Sequence, residues 1–300
     1  MVDALTGIFP VLPTPFRPDG TADMDALVRL VVFAEKAGVA GVVYPGFASE
    51  VETLARDERA ALLKAVAGTV GNRLAIVAGA SAPSTEEVIE HGRSAAALGI
   101  HHLMIQPPKS LGQDARPVAE FLSQVAAALP QACIILQNAP APRGSDLSPA
   151  TIVEIVKAVP QVAYVKEETL PAGPAITHIL AHRPAHLLGV IGGGGARYIL
   201  DEYARGACAA MPALELAPEH VAMDRAWREG CIGEARALYI RTLPLLSLQA
   251  VYRMRLTKYV LMRRGVLDNA EVRAPTPELD AGALADIDIN LAELGIGVRA

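Results

Sequence analysis

An alternation that repeats eight times constrains this chain more than any other feature. Short apolar runs of strand length are each followed by a longer segment of helical periodicity. The runs lie at 7–13 (GIFPVLP), 39–45, 73–81, 101–108, 132–138, 162–168 (VAYVKEE), 185–193 and 207–211. Helices are expected near 23–36, 56–68, 84–98, 116–129, 148–158, 173–182 and 196–204. Asp23 marks the start of the first and Gly38 its end, while Ser84-Thr-Glu-Glu opens the third and Gly99 closes it. The runs are almost continuously apolar, as in a parallel sheet whose two faces are both covered. Eight strand–helix units predict a closed (β/α)8 barrel of the TIM type in the α/β class. An open doubly wound sheet would carry G-x-G-x-x-G after its first strand, where this chain has Pro13-Thr14-Pro15-Phe16.

From about Pro218 the pattern is helical only. We therefore expect a barrel over 1–229 and a C-terminal helical region over 230–300 packed on it. A chain of 300 residues that is 52% hydrophobic can bury one such core, built from Ala, Val, Leu and Ile because aromatics are only 4%. A net charge of −5 argues against nucleic acid or an anionic membrane as partner. The local exception is Arg253, Arg255, Lys258, Arg263 and Arg264, read as a solvated helix face or an oligomer contact.

Cys133, Cys208 and Cys231 are odd in number and form no C-x-x-C, which fits a reducing compartment. The N-terminus shows no signal-peptide pattern, and the apolar runs fall short of the ~18 residues that a membrane span needs. A cytoplasmic protein is expected. The histidines contain no H-E-x-x-H, and His101–His102 precede the fourth strand, on the rim away from chemistry. His178 and His182 share one face of an outer helix without a further ligand. No metal and no cofactor are expected.

In a barrel, chemistry collects at the strand C-termini. The sixth run ends there in Lys166, one of only six lysines in the chain. A buried amine loses its proton more easily, and can then attack a carbonyl to form an imine. The protonated imine is an electron sink for C–C cleavage, condensation or loss of water. Strand periodicity puts Glu168 on the same face as Lys166 and Glu167 on the other. Glu168 is thus placed to move a proton at the carbon beside the imine. The competing expectation is a simple ion pair, which would hold the lysine proton.

With that lysine on strand six of eight, the chain resembles the dihydrodipicolinate synthase and N-acetylneuraminate lyase family. The resemblance is carried by GIFPVLPTPF, GFASEVETLARDER, VAGAS, QNAPAPRGSDLSP and YVKEET in that order. It implies that Lys166 forms an imine with pyruvate or another 2-oxo acid, with no metal or cofactor. It also implies a homodimer or homotetramer.

The departures from the family pattern matter as much. After strand two the family carries two hydroxyl residues, where this chain has Phe47 and Ala48, leaving Ser49 as the one hydroxyl for the keto acid's carboxylate. Gln137 replaces the proton-shuttling tyrosine of strand five, and Pro108 and Lys109 stand near the tyrosine of strand four. The arginine that grips a second substrate is displaced, with Pro142 in its place and Arg143 one residue on. Gly192 and Cys208 fall where the family's backbone meets the keto acid, the Cys208 thiol itself being core.

These losses argue against dihydrodipicolinate synthase activity. The pattern is closer to the branch that dehydrates 2-keto-3-deoxy sugar acids, whose Lys-x-Glu-Thr motif Lys166, Glu168 and Thr169 match. The expected function is dehydration of such an acid. A pyruvate-releasing aldolase is the alternative within the family, and a non-catalytic barrel that binds a 2-oxo acid is the alternative outside it.

Overall fold

The computed structural model describes residues 4–297. Eight strands, β1 (Gly7–Ile8), β2 (Gly41–Tyr44), β3 (Ala75–Gly79), β4 (His102–Ile105), β5 (Cys133–Asn138), β6 (Val162–Glu167), β7 (Gly189–Gly192) and β8 (Ala209–Ala210), alternate with eight helices. These are α1 (Met24–Ala37), α2 (Arg56–Val70), α3 (Thr85–Ala96), α4 (Ala115–Ala128), α5 (Pro149–Ala158), α6 (Ala172–His182), α7 (Ile199–Ala204) and α8 (Ala217–Arg228). The strands form one parallel sheet in the order β1-β8-β7-β6-β5-β4-β3-β2, which is the (β/α)8 barrel that the eightfold pattern predicts. Two further helices follow, α9 (Ile232–Arg263) and α10 (Ala281–Glu293). Among the described residues no helix is long and apolar enough to cross a membrane.

Helix starts follow local chemistry. The Asp23 carboxylate caps α1 by accepting the Asp25 and Ala26 N–H groups, and the Ser84 hydroxyl accepts the Glu87 N–H at the start of α3. Gly38 ends α1 in the left-handed conformation at φ 79°. The first strand is much shorter than its apolar run. Pro10 and Pro13 have no N–H to give a ladder, so beyond Ile8 only Val11 pairs, by single bridges to Val43 and Ala213.

The chain divides into two compact units. One comprises residues 4–6, 76–194 and 198–211. Its central strands bury Val77, Leu103, Ile135, Val165 and Val190. The parallel register of β5 and β6 sets Gln137 beside Lys166 and Asn138 beside Glu167. Because successive strand residues point to opposite faces, this register places Gln137 with Lys166 on one face and Asn138 with Glu167 on the other.

The other unit comprises residues 7–75, 195–197 and 212–297. Here Leu216, Leu245, Leu256, Val260, Ile287 and Leu291 form a buried cluster. Helix α9 is interrupted at Arg253, whose φ of 50° and ψ of −124° are not helical.

Within the basic stretch at the end of α9, Arg253 is exposed, but the other four residues do not form the solvated face that helical spacing suggests. Lys258 is fully buried, and its Nζ donates to Glu50 Oε1 at 2.5 Å and to the Glu271 carbonyl at 2.6 Å. Arg255 pairs with Glu278, Arg263 with Asp288 and Arg264 with Glu219. The partners of Lys258, Arg263 and Arg264 lie up to 208 residues away in sequence, beyond the reach of a periodicity argument.

Candidate active site

The Lys166 side chain is 3% exposed at the end of β6. Its Nζ lies 2.7 Å from Glu168 Oε1, so the shared face predicted by strand period is a direct contact. The other carboxylate oxygen, Oε2, receives Arg143 Nη2 and, at 3.4 Å, the Gln137 amide. Burial works to raise the Glu168 carboxyl, but the charges of Lys166 and Arg143 and the donors around it win and hold it at about 2. Glu168 is therefore an anion shared by two cations.

The pair of cations bears on whether Lys166 is quenched. A buried carboxylate left without a partner is costly, so a lone lysine beside it would be compelled to keep its proton. Arginine stays charged at any ordinary pH. Arg143 therefore keeps Glu168 compensated when Lys166 gives its proton up. In the sequence Arg143 stands one place beyond the family's arginine position, an offset that by itself gave no reason to count it in the site.

Arg143 is held by the loop that carries it. The turn closes as the Arg143 and Gly144 N–H groups donate to the Pro140 carbonyl, both at 3.0 Å. Side chains from the segment after β4 grip the loop's carbonyls: Gln106 donates to Arg143, Lys109 to Pro142, and Gln113 to Ser145 and Asp146. Asn138 closes the other end by exchanging two bonds with the Leu147 backbone, at 2.9 and 3.0 Å. The Asn138 amide also donates to Glu167, whose Oε1 takes the Thr169 hydroxyl and N–H. Burial raises the Glu167 carboxyl, and these donors only partly offset it. Glu167 and Thr169 thus tie down the backbone on the far side of β6.

Of the other residues picked out from sequence, Gly192 pairs in register with Glu167. Cys208 precedes β8, and its thiol donates to the Val190 carbonyl at 3.3 Å. Burial pushes the Cys133 thiol up to about 11, as suits a passive core residue. The His178 and His182 rings stack at 4.4 Å, and no group of three metal-binding side chains exists among the described residues.

Phe47, Ala48 and Ser49 form a 3-10 turn in the other unit. The Ser49 hydroxyl donates to the Leu12 carbonyl at 2.5 Å and accepts the Gly46 N–H at 2.9 Å. A substrate carboxylate would have to displace the Leu12 carbonyl to receive that proton. Thr14 Oγ1 donates to the Ser49 carbonyl at 2.7 Å, which leaves the Tyr44 hydroxyl as the donor in their 2.9 Å contact. Burial holds the Tyr44 hydroxyl well above the usual phenol range, and the Thr14 contact only partly offsets it.

A parallel α/β barrel that ends its sixth strand in a buried lysine paired to a carboxylate has the layout of a lyase or aldolase. A sequence model of the Dihydrodipicolinate synthetase family matches residues 4–292. The chain is 31% identical over 287 residues to L-2-keto-3-deoxyarabonate dehydratase from Azospirillum brasilense, covering 94% of this chain and 92% of that one. It is 37% identical over 166 residues to 4-hydroxy-tetrahydrodipicolinate synthase from Xanthomonas axonopodis pv. citri (strain 306). That second match takes in 55% of this chain and spans about half, 54%, of the Xanthomonas protein. A crystal structure of dihydrodipicolinate synthase from Rhodopseudomonas palustris superposes with a TM-score of 0.89 at 26% identity, covering 96% of this chain and 97% of that one. The chain belongs to the dihydrodipicolinate synthetase family, whose members are class I lyases and aldolases.

Proposed function

We propose that the protein dehydrates a 2-keto-3-deoxy sugar acid through an imine on Lys166. The observation that carries this reading is the Glu168 carboxylate, set against Lys166 Nζ where a tyrosine hydroxyl is missing at Gln137. Similarity over nearly the whole length to a protein named L-2-keto-3-deoxyarabonate dehydratase supports it.

The chemistry balances on the residues present. The Lys166 amine attacks the C2 carbonyl, and loss of water gives a protonated imine. Glu168 takes a proton from C3, the C–H pair forms a C2=C3 double bond, and the imine π pair moves onto nitrogen, which gives an enamine. The nitrogen pair then restores the C2–N double bond, the C2=C3 pair forms C3=C4, and the C4 hydroxyl leaves as water with the proton that Glu168 gives back. Hydrolysis of the unsaturated imine frees Lys166. Glu168, held as a carboxylate by Lys166 and Arg143, is in the form that accepts a proton, and it ends the cycle as it began. Gln137 does not titrate, so in this reading it only orients Glu168.

A panel of 2-keto-3-deoxy acids, assayed for substrate loss and for free pyruvate, tests the proposal. Dehydration consumes the acid without releasing pyruvate. Pyruvate released in step with substrate loss would instead make the protein a retro-aldolase. Glu168→Gln is expected to keep imine formation and to lose turnover by a factor on the order of 10² to 10⁴. Retained turnover would reduce Glu168 to an ion-pair partner.

A further inference from the structure

Beside the Lys166–Glu168 pair lies another buried carboxyl that the proposed chemistry does not use. Glu202, on α7, is 1% exposed. Its carboxyl accepts the Gly193 N–H, and its Oε2 has no hydrogen-bond partner among the described residues. That oxygen lies so close to Gly192 that a Cβ there would collide with it. A Cβ on Gly193 would fall 2.5 Å from Glu168 Cγ and 2.9 Å from Glu168 Oε1, the oxygen that meets Lys166. The Gly192–Gly193 backbone is thus a thin wall between two carboxyl side chains, and a side chain at either position would displace one of them.

We propose that Glu202 is a positioning residue for the Lys166–Glu168 pair: by holding the Gly193 N–H it fixes the Gly192–Gly193 backbone against Glu168 and keeps that carboxylate on Lys166. The inference rests on the reading of Lys166 given above and extends it. The charged groups that face Glu202 are carboxylates. Glu168 and Glu167 come from β6, and Asp201 comes from its own helix, where Arg205 pairs with it at 2.9 Å. Burial first, then these neighbouring charges, push the Glu202 carboxyl up to about 8. Neutral Glu202 spares Glu168 a facing negative charge. Ionised Glu202 supplies one across the glycine wall, and the repulsion works against the position of Glu168 on Lys166.

Two measurements separate this inference from the imine reading itself. Turnover of a 2-keto-3-deoxy acid is followed against pH in wild type, Glu202→Ala and Glu202→Gln, with borohydride-trapped adduct formation from pyruvate measured beside it. At neutral pH, Glu202→Ala is expected to keep adduct formation but to slow turnover by a factor on the order of 10, and Glu202→Gln, which keeps the acceptor, restores turnover. As pH passes through about 8, wild type is expected to fall progressively behind Glu202→Gln. Parallel wild-type and Glu202→Gln profiles would overturn the proposal.

Hydrogen exchange of the peptide spanning Gly192–Gly195 reads the loop without any substrate. Exchange should quicken in Glu202→Ala and not in Glu202→Gln, and equal rates in all three would overturn the positioning role. If wild type forms no adduct while the exchange pattern holds, the imine reading falls and the Glu202 contact with the loop stands.

Discussion

Glu168 answers to two cations, and that division decides what Lys166 can do. Arg143 stays charged, so it compensates the carboxylate in either state of the lysine. Arg143→Ala leaves Lys166 as the remaining charged partner at Glu168, which should slow imine formation at neutral pH. The Glu168 carboxyl should also move up from about 2, carrying any acid limb of turnover with it. Adduct formation at neutral pH and turnover against pH check these two effects, and no change in either would mean that Arg143 does not share the charge. Lys166 and Glu168 were legible in the sequence because strand period alone puts them on one face. Arg143 was not, because its position depends on how a loop folds back. Only its offset from the family pattern gave a signal. Glu202 gave none, since one acidic residue on a short helix looks like any solvated carboxylate.

At the scale of elements, the loop after β5 and the junction at Glu50 do most to fix local geometry. Asn138 serves the loop and Glu167 together, so Asn138→Ala strands buried groups on both. It should cost about 1–3 kcal/mol for each unsatisfied group, read from the urea midpoint, with loss of turnover as Arg143 drifts. Lys258→Met leaves Glu50 buried with the Arg273 and Ala274 N–H groups but no ammonium, and should cost about 3–5 kcal/mol. A stability change below 1 kcal/mol would mean that the Lys258 ammonium does little to compensate Glu50. Element identity was legible throughout, from the caps Asp23 and Ser84 to the stop at Gly38. Strand extent was not, because Pro10 and Pro13 remove donors from an apolar run that otherwise looks continuous. Lys258 was misjudged for a different reason: its partner Glu50 lies 208 residues away, and no local pattern records the pairing.

For the whole molecule, buried titratable groups set how stability follows pH. Glu202 and Glu215 are raised by burial to about 8 and about 7, from 4.5. Between those limits the folded state holds protons that the unfolded chain has released, so stability falls as pH rises from about 4.5 toward 8. Glu168 acts oppositely: its contribution is complete above 4.5 and is lost as pH falls toward about 2. Buried His220, lowered to about 3, adds to that acid loss because the unfolded chain protonates it from 6.5 downward. The thermal midpoint should therefore be higher near pH 5 than near pH 8, and Glu202→Gln should flatten the decline. A decline identical in wild type and variant would show that Glu202 is not proton-linked to folding.

The central claim is that Lys166 forms an imine with a 2-oxo acid. Sodium borohydride reduction in the presence of pyruvate, followed by intact mass and peptide mapping, tests it most directly. The expected result is one reduced pyruvyl adduct per chain, located on Lys166 and absent from Lys166→Ala. No adduct on wild type, or an equal adduct on Lys166→Ala, would contradict the account.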